Sequence, residues 1–218
     1  MTLFSDIETQ KINSGGGGGD RKILDTDTYV VSVVGFVDLG TQHISYQGEE
    51  KDERRFRVIM EVDGEEYEDG NPFTTHLDVK DSCHEKSTMT KVLLAANRGD
   101  TSMTYGQLLD SAVGKSFRVQ IDKKVSKADR EYNRAKPATI CALSKREKDV
   151  VMQSTPIMFS LKAPSLDTFT SLTKWTVMTI MDSPEGQALG REFHEHHLSV
   201  SDNEASKVEA KPDTSALE

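Results

Sequence analysis

Cysteine and long apolar runs are scarce in this 218-residue chain, and positive charge is outnumbered, 27 Lys and Arg against 36 Asp and Glu. Cys83 and Cys141 stand alone and without CxxC spacing, which excludes a disulfide framework and reads as two buried or incidental thiols. No window approaches the ~18 to 20 apolar residues that a helix needs to cross a bilayer, so no membrane partner is expected. The opening MTLFSDIETQ lacks a basic stretch followed by an apolar core, so it does not read as a secretory signal, and a cytoplasmic setting is expected. With 35% hydrophobic and 29% charged residues, the composition is that of a soluble protein with one sizeable domain and tails.

The net charge of −9 argues against a nucleic-acid partner, because a uniformly acidic surface repels phosphates. The charge is not uniform. Residues 115–148 hold eleven Lys and Arg against four Asp and Glu, a net of +7, whereas residues 182–218 hold nine acidic residues against three basic ones, a net of −6. A basic block joined to an acidic tail in one chain points back to nucleic acid.

Along the chain, residues 1–25 contain five consecutive glycines, Gly15 to Gly19, and read as a flexible leader because each glycine loses maximal backbone entropy on ordering. Strand patterns follow at 29–37, 54–62 and 73–79. The period then becomes helical: Ser87 is placed to cap a helix carrying Met89, Val92, Leu93 and Ala96, Gly99 stops it, and a second helix is expected over 105–112. Strand patterns resume at 115–125 and 138–143, with a long basic loop between them. Three strands, helices, then two strands is the order of an OB-fold, a five-stranded Greek-key barrel with its helix between strands three and four. The loops that usually line its nucleic-acid groove would be 38–53 and 126–137. A helix over 167–181, docked by Trp175, completes a domain spanning 26–181, and residues 182–218 form an acidic tail expected without structure after Leu198.

Sequence-independent binding of a single strand needs cations along the backbone and aromatic faces for the bases. Arg54, Arg55 and Arg57 flank Phe56 in four consecutive residues, although Phe56 by itself reads more readily as core. Arg118, Lys123, Lys124, Lys127, Arg130 and Arg134 supply further charge, with Tyr46 and Tyr132 as additional rings. Tyr132 is the strongest aromatic candidate, since it sits among Arg130, Glu131, Asn133 and Arg134.

The stretch VVGFVDLGTQHISYQGEEKDERRFRVIMEV is similar to the first hairpin of tailed-bacteriophage single-stranded DNA-binding proteins with an OB-fold. TPIMFSLKAPSLDTFTSLTKWTVMTI resembles the Pro, Phe and Trp pattern that follows their barrel, and the resemblance covers roughly residues 28–181. It implies a non-catalytic protein that coats single strands in phage replication or recombination, works in the host cytoplasm and offers its acidic tail to replication or recombination proteins. Self-association is compatible with it.

Enzyme readings find little in the chain. Gly114-Lys115-Ser116 ends like a phosphate-binding loop, but Leu109 stands where its first glycine belongs. His76, Cys83 and His84 lack a fourth metal ligand, and His194, His196 and His197 read as a solvated helix end, so no catalytic residue, metal or cofactor is assigned. The remaining alternative is a protein-interaction or assembly module on an OB-like barrel.

Overall fold

Burial along the third strand alternates strictly, with Phe73, Thr75, Leu77 and Val79 inside and His76 and Lys80 outside, and the rest of the molecule follows from that inside and outside. The computed structural model describes residues 22–46, 48–126 and 129–208, without the side chains of Tyr46 and 202–208. The glycine run of the leader, Lys127 and the last ten residues of the tail lie outside the described residues. Leu24, placed in the leader from sequence, is buried and exchanges two hydrogen bonds with the Asn133 side chain.

The first two strands, β1 (Asp27–Tyr46) and β2 (Glu49–Glu66), pair antiparallel along almost their whole length. The connector 38–53, expected as a loop, is therefore mostly strand, and the chain turns near Gly48 at φ +85°. Its polarity hid it. Glu49, Glu50, Lys51 and Asp52 are all exposed, so the arm has no buried face and no alternation marks it.

After β3 (Pro72–Lys80) come α1 (Thr88–Ala96) and α2 (Tyr105–Ala112). The Ser87 side chain accepts from the Thr90 N–H, and Thr104 with Gln107 forms a reciprocal capping box. The chain then returns as β4 (Ser116–Val125) and β5 (Glu131–Ala135). The fifth strand thus occupies part of what reads as a basic loop, while the expected strand at 138–143 is a short 3-10 turn followed by β6 (Cys141–Ala142). With β7 (Ile157–Phe159), the described strands form one seven-stranded sheet of order β3-β2-β1-β4-β5, with β6 on β4 and β7 on β1. All pairings are antiparallel except that of β7. No β3–β5 ladder closes it among the described residues, although β5 lies alongside β3, with Cα atoms within 8 Å.

One side of this sheet holds the main core: Val31, Val33 and Phe36 of β1, Val58, Met60 and Val62 of β2, Phe117, Val119 and Ile121 of β4, sealed by Met89, Val92 and Leu93 of α1. Each such side chain contributes about 1.5–3 kcal/mol over its exposed state. A second core lies on the outer side of β1, where Val37 and Leu39 meet Phe159, Phe169, Leu172, Val177, Ile180, Met181 and Phe193. Gly35 makes this docking feasible, since a Cβ there would fall 1.7 Å from the Ile157 carbonyl oxygen.

The single helix expected over 167–181 is two, α3 (Leu166–Thr170) and α4 (Lys174–Met181), because Thr173 starts a new helix by accepting from the Thr176 N–H. Trp175 does not dock this unit: it is 58% exposed. Two further helices follow, α5 (Pro184–Gln187) and α6 (Arg191–Val208), so the chain stays helical ten residues beyond Leu198, where structure was expected to end. Both cysteines are exposed rather than buried. No helix among the described residues is long and apolar enough to cross a membrane.

Candidate nucleic-acid interface

The cation-rich stretch of β2 is turned into the structure. Even-numbered residues of β2 face the main core, and Phe56 packs partly buried against it. Arg54 pairs at 2.5 Å with the buried Asp38 carboxylate. On the other face Arg57 is only 8% exposed, and it donates through Nε and a terminal nitrogen to the two Asp78 oxygens, each at 2.7 Å, and to Thr176 Oγ1 of α4 at 2.8 Å. Arg55 donates to the Asp78 carbonyl, and its Nε is buried without a partner. Burial by itself raises the Asp78 carboxyl, but the paired bonds and charge of Arg57 outweigh it and hold the group below the usual carboxylate range. His76, exposed at one edge yet closely surrounded, is pushed down by loss of water and by the Arg57 charge, so it adds little cationic field at neutral pH.

The C-terminal segment closes over this side. Glu61, 5% exposed, accepts from the Gln153 and Ser154 backbone N–H groups, Thr41 donates twice to Glu185, and Gln42 reaches the Thr179 carbonyl. Three of the predicted arginines thus hold the fold together. The charges of Arg54 and Arg57 are tied into carboxylates and contribute little to an external field, and Arg55 is bonded to the β3 backbone.

The β4–β5 hairpin is arranged differently. Its inward row, Ile121 and Ala135, enters the core, which turns Asp122, Lys124, Tyr132 and Arg134 outward. Lys124 stands directly opposite Tyr132 and Asp122 directly opposite Arg134, so a ring is flanked by cations across and along the strands. Tyr132 is 40% exposed, and Lys124, Arg130, Arg134 and Lys136 are all exposed. Among the described residues, Arg130 and Arg134 form no ion pair. Lys124 has a loose contact with Asp122 at 3.4 Å, and Lys123 pairs with Glu131 at 2.9 Å on the other face. Arg118, further along β4, forms a forked pair with Glu147, whose carboxyl is pushed down to about 2 by that bond and by the Ser144 N–H. Single exposed contacts such as those of Lys123 and Lys124 are worth little in water, so these two cations stay available to phosphate, whereas the forked bond keeps Arg118 on Glu147.

The structure therefore gathers Lys124, Arg130, Tyr132 and Arg134 on one hairpin, with Lys123 on its other face and Arg118 further along β4, and sets Arg54, Arg55, Phe56 and Arg57 apart. The Tyr46 backbone pairs with Glu49 at the end of the distant arm. Lys136 extends the exposed row and Trp175 is an exposed ring; the residue types gave no sign of Trp175's position, because an apolar side chain in a helix ordinarily faces the core. No family model matches the chain and no curated protein matches it, so the interface stands on its own residues and geometry.

Proposed function

We propose that the protein binds single-stranded DNA without sequence preference, through the outer face of the β4–β5 hairpin. The observation that carries this reading is the exposed row Lys124, Tyr132, Arg134 with Arg130 at the turn: cations for phosphates around a ring free to stack. The strand order β3-β2-β1-β4-β5, with α1 and α2 between β3 and β4 and with β5 alongside β3, supports an OB-fold barrel as the core of the seven-stranded sheet. In such barrels the loop joining the fourth and fifth strands borders the ligand groove. Together with the resemblance to tailed-phage proteins, this supports a non-catalytic coat for transient single strands in phage DNA replication or recombination.

The test is a titration of labelled oligo-dT and of duplex of equal length at two salt concentrations. Binding to oligo-dT should be tighter than to duplex and should weaken steeply with salt as displaced counterions return. A protein-interaction module is the second reading, favoured by the exposed acidic arm of Glu49, Glu50 and Asp52. It predicts no binding to oligo-dT at micromolar protein.

A further inference from the structure

Trp175 is the chain's single tryptophan, and it lies outside both cores on a helix that is otherwise firmly seated. Val177 and Ile180 of α4 are fully buried, and Thr173 caps its first turn, yet the largest apolar side chain of the helix is 58% exposed. Its neighbour Thr176 is bonded at 2.8 Å to Arg57, which holds Asp78 of β3. The start of α4 is therefore fixed beside the outer face of β2 and β3. That face carries Asp78, held by Arg57, with the exposed His76 and Lys80 on either side of it in one row of β3, Lys80 paired with Glu53 at 3.2 Å, and β3 lies alongside β5, whose outward row is Tyr132 and Arg134.

Resting on the reading of the β4–β5 hairpin as a single-strand site, we propose that the bound strand continues from Tyr132 and Arg134 across the outer row of β3 and stacks a base on Trp175. The indole has the chemistry of such a platform: a wide flat face, held on a rigid element. The C-terminal unit then has a second role besides covering β1 and β2: it presents a ring that the barrel itself does not contain.

Because the chain has one tryptophan, its emission reports this residue alone. Full-length protein is titrated with fluorescein-labelled oligo-dT, read by anisotropy, and in parallel with unlabelled oligo-dT, read by tryptophan emission, using a short and a long oligonucleotide. Emission should be quenched in step with binding of the long one. Trp175→Ala should weaken that binding about fivefold or more, with little effect on an oligonucleotide too short to pass Tyr132. An unchanged melting temperature for Trp175→Ala ties the loss to contact with DNA. Anisotropy that reports tight binding of the long oligonucleotide while emission stays constant and Trp175→Ala binds like wild type overturns the path but leaves the hairpin site standing. Absence of binding by anisotropy overturns both.

Discussion

Strand β2 and the β4–β5 hairpin carry the same kinds of residue, arginines beside an aromatic ring, and the fold uses them in opposite ways. In β2 the ring turns inward and the guanidinium groups of Arg54 and Arg57 each meet a carboxylate in a part-buried setting. In the hairpin Tyr132 and Arg134 point outward from a two-stranded ribbon whose other face alone is claimed by the core. Charge in a sequence becomes charge at a surface only where no buried or part-buried carboxylate and no second layer of structure takes it up. Here the second layer is the C-terminal unit, which covers β1 and β2 and leaves the hairpin bare.

The largest effect should come from breaking the β2 side. Arg57→Ala leaves Asp78 and Thr176 without their shared donor, and loss of one partner from a largely buried pair costs about 3–5 kcal/mol. Denaturant unfolding should show that loss, while any protein still folded keeps the wild-type salt slope for oligo-dT. A steep change in slope would mean that Arg57 contacts phosphate.

Next in size is the ring. Tyr132→Ala should lose about 1–3 kcal/mol of oligo-dT affinity with its melting temperature unchanged, since the side chain already meets water. A fall in melting temperature with affinity intact would assign Tyr132 to the rim of the fold. The smallest effect concerns acid. The Asp78 carboxyl is lower in the folded state than in the unfolded chain, so its stabilisation is complete above the unfolded value of about 4 and disappears as pH falls through the folded one. Asp78→Asn should therefore flatten the loss of melting temperature between neutral pH and about pH 3. An identical acid profile in the variant would place the sensitivity elsewhere.

The contrast also separates what was legible in the sequence from what was not. Local signals held: Ser87 caps α1, the span 105–112 is α2, and the alternation at Phe117, Val119 and Ile121 is β4. Each depends on neighbours within a few residues. β5 was missed because in Glu131–Ala135 only Ala135 is buried, so a ribbon strand with a wet outer face reads as a loop. The fates of Arg54 and Arg57 depend on Asp38 and Asp78, partners 16 and 21 residues away, and the exposure of Trp175 depends on which face of α4 the second core takes. Local patterns cannot carry either. The basic block did mark the right segment, though it could not tell Lys124 and Arg134 from the Arg118 engaged by Glu147.

The most direct test compares salt slopes. For oligo-dT binding, the logarithm of affinity against the logarithm of salt concentration should fall less steeply in Lys124→Ala/Arg134→Ala, by about 0.7 for each phosphate contact removed. Arg54→Gln, measured on protein that still melts cooperatively, should keep the wild-type slope. A double hairpin variant with the wild-type slope, or a slope flattened only by Arg54→Gln, would contradict the assignment of the phosphate-binding cations to the β4–β5 hairpin.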